Sequence, residues 1–424
     1  MATMENKNGN PYRPRLVAAL DIGTAKVGCL IAEIRGNGNI VVKGMGHRVS
    51  RGIKQGVIVD LDQAASSVCA AVDQAEKVAG QPIDQVIVNL SSGGPKSRIL
   101  STKVPLNGTG VQQTHIDKAL GEVSQRIDLG KETLVHAFPA CYGLDGALAV
   151  NEPLGMFGQN LSVTLHAVIA APGPIRNIET CVQRSHLDVS RLVLTPYASG
   201  LSVLVDDERE LGSACIDMGA GTTSISIFVR GRMVHSEVLP IGGDEITQSI
   251  ATGLLTPISQ AERLKILNGS AYYTKSDDHE IIEIPKLGCG DEGERMEIPR
   301  AVLTRAIEPH MERLFVTIRK HLEAAGFGGP QARRVVLTGG ASQLTGVRDY
   351  AEKVLAKKVR LGRPQNLDGL PEAANSAPFA TLVGLLQYVV KAPAEAGEIR
   401  ISGYVAEAGT GKMARLGNWL KANF

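Results

Sequence analysis

The chain has 424 residues, 43% of them hydrophobic, and a formal net charge of +2. That length buries a sizeable core and points to two or more domains, while the near-neutral charge argues against a field built for nucleic acid. The six cysteines (Cys29, Cys69, Cys141, Cys181, Cys215 and Cys289) form no CxxC pair, which favours reduced, mostly buried thiols over a disulfide frame or a zinc site.

Residues 1–15 are polar and expected to be flexible. They lack the apolar stretch of a signal peptide, and no apolar run approaches the ~20 residues that span a bilayer. The expectation is a soluble cytoplasmic protein. From Leu16 to about Leu90 the pattern gives three strands, the helix "LDQAASSVCAAVDQAEKVAG" and the strand "DQVIVNL". Residues 91–166 read as a compact insert of strand-like pieces around one helix. Its apolar positions are Ile116, Leu120, Val123 and Ile127, and Thr114 with Asp117 gives a start like a capping box. A further helix, "LTPYASGLSVL", begins at Leu194.

The segment from Ser213, "SACIDMGAGTTSISIFVRGRMVHSEVLPIGG", echoes the one from Val17, "VAALDIGTAKVGCLIAEIRGNGNIVVKGMG". Each runs apolar strand, Asp-x-Gly, small polar turn, longer strand, tight Gly turn, strand. Two such copies predict two related domains, each with an α/β sheet covered on both faces.

Chemistry enters at the turns. A carboxylate closing a buried strand is costly unless it meets a partner or a cation. Behind Asp21 stand Gly23, Thr24 and Lys26. Behind Asp217 stand Gly219, Gly221, Thr222 and Thr223. Small residues let backbone N–H groups approach an anion, and the hydroxyls and the lysine add donors. Two facing hairpins would clamp a polyphosphate, with Asp21 and Asp217 holding a hydrated Mg²⁺, most simply through water.

Past "IGGDEIT", the helix "SQAERLKILNGSA" sets Glu262 and Lys265 three apart on one face. A two-strand segment with a polar Gly-rich loop follows, then a helix, with Arg295 and Arg300 as candidate partners for carboxylates. In "RRVVLTGGASQLTG" a buried strand leads to Gly339 and Gly340 and a helix expected to open near Ser342, an arrangement that favours negative charge. The helix "PFATLVGLLQY" begins at Pro378. Residues 391–410 have the composition of a linker. In 411–424, Met413, Leu416, Leu420 and Phe424 fall near one helical face with Trp419, the sole tryptophan, at its border. Lys412, Arg415 and Lys421 lie elsewhere around the wheel, the make-up of an interfacial membrane anchor.

Several lures fail. "AGTGKM" lacks the first glycine and the Ser/Thr of a P-loop, "GAGTTS" sits in a hairpin, and the histidines show no metal-ligand spacing.

The order of the Asp21 hairpin, the helix at Leu194, the Asp217 hairpin, "LTGGAS" and the helix at Pro378 resembles the actin, sugar-kinase and heat-shock-chaperone superfamily. Within it, "LDIGTAKV", "SRGIKQGVIVD", "IDMGAGTTSISIF", "IGGDEIT" and "AERLKILNG" resemble the FtsA family of bacterial cell-division proteins. The resemblance implies an actin-like (ribonuclease H-like) two-lobed α/β fold with an interdomain nucleotide cleft and a C-terminal amphipathic helix. Lobe I would comprise 16–90 with 167–200 and 370–390, carrying the FtsA-type insert 91–166. Lobe II would comprise 201–243 with 311–369, and its small subdomain 244–310 would bind the C-terminal tail of FtsZ through Arg295 and Arg300. The helices near Pro196 and Pro378 would cross at the hinge, with Ala198, Gly200, Ala380 and Gly384 suiting close packing.

The same resemblance implies ATP and Mg²⁺ as ligands, adds Gly243 to the nucleotide contacts and sets Glu262 and Lys265 against ribose and adenine. It implies self-association into filaments, contacts with other division proteins and anionic lipids, and a peripheral place on the cytoplasmic face of the inner membrane at the division site. No residue that positions an attacking water is legible, so hydrolysis is expected to be slow or absent. The competing readings are a sugar or carboxylate kinase of the same fold, and a pilus-assembly or shape-determining actin homologue.

Overall fold

The computed structural model describes residues 15–36, 38–285, 295–329 and 334–391. Lobe I opens with β1 (Arg15–Ile22), β2 (Lys26–Ile34) and β3 (Ile40–Val49), followed by the small hairpin β4 (Ile53–Lys54) and β5 (Val57–Ile58), α1 (Leu61–Ala79) and β6 (Gln85–Leu90). The Asp60 carboxylate caps α1 by accepting from the N–H groups of Asp62 and Gln63, and Gly80 ends it in the left-handed region. An inserted subdomain follows: β7 (Lys96–Pro105), α2 (Gln113–Gln125), β8 (Thr133–Leu144), β9 (Ala147–Val150) and β10 (Asn160–Ala170). The chain returns to lobe I through α3 (Pro172–Gln183), β11 (Asp188–Leu194) and α4 (Thr195–Val203).

Lobe II runs α5 (Asp206–Leu211), β12 (Ser213–Met218), β13 (Thr223–Val229), β14 (Arg232–Leu239), α6 (Gly243–Gly253), α7 (Ile258–Asn268), β15 (Ile281–Pro285), β16 (Arg295–Pro299), α8 (Arg300–Ala324), β17 (Arg334–Thr338), α9 (Val347–Leu355) and β18 (Lys358–Leu361). The chain then crosses back into α10 (Ala380–Lys391).

The two main sheets have the same plan. Lobe I is ordered β3-β2-β1-β6-β11 and lobe II β14-β13-β12-β17-β18. In both, the first two pairings are antiparallel and the last two parallel. The internal echo of the sequence is thus a structural duplication. Six consecutive residues of β1 and all of β12 are buried, as strands covered on both faces require. The insert forms its own sheet, β7-β10-β8-β9, with a separate core in which α2 contributes Ile116, Leu120 and Val123.

The lobes are joined through α4 and α10, which occupy equivalent places in the duplication. A Cβ on Gly384 would lie 1.8 Å from the Ala198 carbonyl oxygen, so α10 meets the α4 backbone directly. Ser202 Oγ adds a bond to the Ala380 carbonyl at 2.7 Å. Gly200 differs from expectation. Its face is covered not by α10 but by the Phe228 ring of β13, 2.4 Å from where its Cβ would stand.

Two helix termini differ from expectation. Helix α2 starts at Gln113, and its cap pairs the Gln112 N–H with His115 Nδ1 at 3.2 Å instead of using Thr114 and Asp117. The Asp117 carboxylate instead accepts from Gln113 Nε2. After Gly339 the chain makes one 3₁₀ turn (Gly340–Gln343), and the α-helix begins only at Val347 because Gly346, in the left-handed region, breaks the path.

Candidate nucleotide cleft

The β1–β2 and β12–β13 turns come from equivalent places in the duplicated sheets, and the fold brings them face to face. A Cβ on Gly221 would stand 2.4 Å from Thr24 Oγ1 and 2.8 Å from Gln55 Cα, so the turns of the two lobes touch. The loop between β4 and β5 closes over both. The Gly56 N–H donates to Thr24 Oγ1 at 3.0 Å, and Gln55 Nε2 donates to the Pro240 carbonyl across the lobes at 2.9 Å. Within each turn the backbone is fixed by a short bond, Gly23 N–H to the Lys26 carbonyl at 3.0 Å and Gly219 N–H to the Thr222 carbonyl at 2.8 Å. Thr223 Oγ1 donates to the Ile241 carbonyl at 2.8 Å.

Asp21 and Asp217 end β1 and β12 and are both buried. Burial pushes the Asp21 carboxyl up to about 7; Lys26 opposes the rise and Asp217 adds to it. Asp217 is also raised by burial, opposed by hydrogen bonds from Thr381 and Ser199 and by the charge of Lys26. Burial pulls Lys26 down to about 8 against the two carboxylates. Its ammonium donates to the Pro378 carbonyl and lies 3.6 Å from the Phe379 ring centroid. Two buried acids facing one buried ammonium are short of positive charge, the electrostatic setting that suits a divalent cation.

The second wall of the cleft belongs to lobe II. The Gly243 N–H donates to the Gly219 carbonyl at 3.0 Å, which places the N-terminus of α6 beside the Asp217 hairpin. Lys265 Nζ donates to the Gly243 carbonyl at 3.1 Å and to Thr247 Oγ1 at 2.8 Å, and pairs with the Glu262 carboxylate at 2.7 Å. Gly339, with φ +85°, passes so close that a Cβ there would lie 2.3 Å from Asp217 Oδ1. A Cβ on Gly243 would lie 3.5 Å from Ala341 Cβ, so the 339–341 turn joins the same wall, while Gly340 faces open space.

All the candidate nucleotide residues therefore converge from five chain segments. Three others join them that the motifs did not single out. Thr381 holds Asp217, Thr247 links Glu262 to Lys265, and Gln55 spans the lobes. Thr247 and Gln55 lie inside the stretches "IGGDEIT" and "SRGIKQGVIVD", and Gln55 carries the signal of a turn, a left-handed φ of 47° beside Gly56.

Arg295 and Arg300 lie elsewhere, at the β15–β16 hairpin and the start of α8. Arg295 pairs with Glu283, both well exposed. Arg300 is engaged internally, 3.0 Å from the fully buried Asp277 and paired with Glu280. Met413, Leu416, Trp419, Leu420 and Phe424 fall outside the described residues. Among the described residues, no helix is long and apolar enough to cross a membrane.

Residues 214–384 match the family model described as Cell division protein FtsA, and residues 93–169 match the SHS2 domain inserted in FTSA. The Cell division protein FtsA of Rhizobium meliloti (strain 1021) is 40% identical over 422 residues, which cover 97% of this chain and 96% of that one. The chain belongs to the FtsA family. The family member from Escherichia coli (strain K12) is 31% identical over 97% of this chain and 98% of its own. The FtsA-type insert at 93–169 is the subdomain built from β7 to β10.

Among solved structures, the PilM–PilN type IV pilus biogenesis complex matches with a TM-score of 0.62 at 17% identity, covering 88% of this chain and 98% of that one. MreB5 of Spiroplasma citri bound to ADP matches with a TM-score of 0.53 at 12% identity, covering 92% and 100%. At these identities the likeness concerns the fold, which is actin-like.

Proposed function

We propose that this cell-division protein binds ATP with Mg²⁺ between its lobes, assembles into filaments and tethers FtsZ filaments to the cytoplasmic membrane, where it helps to build the septum. The observation that carries the nucleotide reading is the convergence of the Asp21 and Asp217 hairpins on one buried, acid-rich cleft walled by Gly243, Lys265 and Gly339.

The backbone N–H groups and hydroxyls of Gly23, Thr24, Gly221, Thr222 and Thr223 would hold phosphates, with Lys26 adding charge. Asp21 and Asp217 would hold the cation through water, and Glu262 and Lys265 would meet the nucleoside. Bound Mg²⁺ supplies the charge that neutralises phosphate and carboxylate together. Because the two phosphate hairpins belong to different lobes, the ligand favours the closed arrangement, which makes ATP an assembly ligand first.

The remaining parts of the reading rest on family membership and sequence. The exposed Arg295 and the neighbouring Arg300 would face the acidic FtsZ tail, and residues 411–424 would lie on anionic lipid. Isothermal titration with ATP, with and without Mg²⁺, tests the cleft. Mg²⁺-dependent binding is expected, lost at least tenfold in Asp217→Asn with the fold retained by circular dichroism. Equal affinity in the variant would overturn the assignment.

A further inference from the structure

The insert leaves and re-enters lobe I, yet its polar contacts include a row of bonds to lobe II, all of them to β14. Ser97, on the edge strand β7, has its hydroxyl 2.8 Å from the Ser236 carbonyl oxygen and accepts the Ser236 N–H at 3.0 Å. On β10, His166 is fully buried and places Nδ1 3.2 Å from the Met233 carbonyl oxygen and Nε2 2.9 Å from Ser97 Oγ. A carbonyl only accepts, so Nδ1 carries the proton, and the single proton of the Ser97 hydroxyl is shared between the Ser236 carbonyl and the Nε2 lone pair. Arg232, at the head of β14, donates to the carbonyls of Pro139 and Asn151 at 2.8 and 3.1 Å and lies over the Tyr142 ring.

The other end of β14 is held by lobe I as well, through Gln55 on Pro240. That end runs directly into Gly242 and Gly243, the turn beside the Asp217 hairpin. The insert is anchored equally well on its own side. His136 Nε2 accepts the Leu194 N–H at 3.1 Å, and Phe138 packs on Tyr197 of α4 with ring centroids 4.8 Å apart.

Among the described residues, the chain passes between the lobes only after α4 and before α10. A rotation of lobe II about those helices that moved β14 would have to break the Ser97, His166 and Arg232 bonds or carry the insert with it. We infer that the inserted subdomain is a strap: by gripping β14 from lobe I it sets the angle between the lobes, so that whatever binds the insert is coupled to the width of the cleft.

The test needs no nucleotide, so its outcome is independent of the ATP reading. The full-length protein, with Cys141 and Cys289 replaced by Ser, is spin-labelled at the exposed Cys69 of α1 in lobe I and at Thr252→Cys, an exposed position on α6 in lobe II. Distances are read by pulsed electron resonance. Ser97→Ala and Arg232→Ala remove separate parts of the grip at residues that are not fully buried. The strap predicts that each variant shifts the Cys69–Thr252 distance distribution to longer and broader values, and that the double variant shifts it further. Unchanged distributions in all three overturn it. A second pair, Lys131→Cys on the insert with Thr252→Cys, covers the remaining case. If that distance grows while Cys69–Thr252 stays fixed, the insert merely rests on lobe II, and the strap is wrong.

Discussion

Thr381 Oγ1 donates to Asp217 Oδ2 at 2.8 Å, so the first turn of α10 rests on the carboxylate that ends β12. The 3₁₀ turn just before it, Ala377–Phe379, supplies the Ala377 carbonyl to the Gly339 N–H at 3.2 Å and the Pro378 carbonyl to Lys26. Residues 377–381 thus touch both lobes at the cleft. Thr381→Val keeps the shape and removes the donor, leaving a buried carboxylate short of one bond at a cost of about 1–3 kcal/mol. Urea unfolding should show that loss, and Mg²⁺–ATP affinity should fall with it. Wild-type stability would mean the bond contributes nothing.

Asp21 carries a pH signature. Its carboxyl titrates at about 7 in the folded protein against an ordinary 3.8, so the folded state takes up a proton that the unfolded chain does not. Its contribution to stability is therefore full at low pH and is lost as pH rises from about 4 to about 7. Thermal unfolding in nucleotide-free buffer between about pH 5 and pH 7 should show this slope in the wild type and a flatter one in Asp21→Asn. Parallel profiles would assign the slope to other groups.

Two glycine substitutions separate close approach from helix propensity. In Gly384→Ala the new carbon would lie 1.8 Å from the Ala198 carbonyl oxygen, backbone that cannot step aside, and the expected loss is about 3 kcal/mol or more. In Gly121→Ala, inside α2 with nothing within 4 Å of the added carbon, the expected change is a gain of up to about 1 kcal/mol. Denaturant midpoints of the two variants should move in opposite directions.

The two candidate FtsZ-contacting arginines should behave differently. Arg300→Glu sets a carboxylate against the fully buried Asp277 and should cost about 3 kcal/mol in stability before any binding is measured. Arg295→Glu disturbs only an exposed pair, worth less than about 1 kcal/mol. Arg295→Glu is therefore the clean probe. It should weaken binding of an acidic FtsZ-tail peptide and flatten its salt dependence at unchanged thermal stability. Wild-type affinity and salt slope would place the peptide elsewhere.

The tail can be read through its single tryptophan. Trp419 fluorescence should shift blue on adding anionic vesicles, much less with neutral ones, and Leu416→Asp should abolish the shift without changing ATP affinity. One short segment with three basic residues would gain about 1 kcal/mol per charge at an anionic surface, so binding should be weak for monomers and steepen with assembly. A tryptophan already blue-shifted and shielded from quencher without lipid would place the tail on protein.

The duplication was legible from residues alone. Strand, Asp-x-Gly, small turn and long strand recur at Asp21 and Asp217 because each buried strand must end where its carboxylate can be compensated, and the order of the two sheets bears this out. The Glu262–Lys265 ion pair was legible, because a three-residue spacing puts the two side chains on one helix face. Tertiary structure alone decided what lies across from each. Thr381 reaches Asp217 from 164 residues away, Gln55 meets Pro240 across the lobes, and Gly200 makes room for Phe228 rather than for a helix. The grip of Ser97 and His166 on β14 was equally hidden. An isolated serine or histidine in a strand looks the same whether its partner is water or another lobe, since local pattern records the face a side chain points to and not what the fold later packs against it.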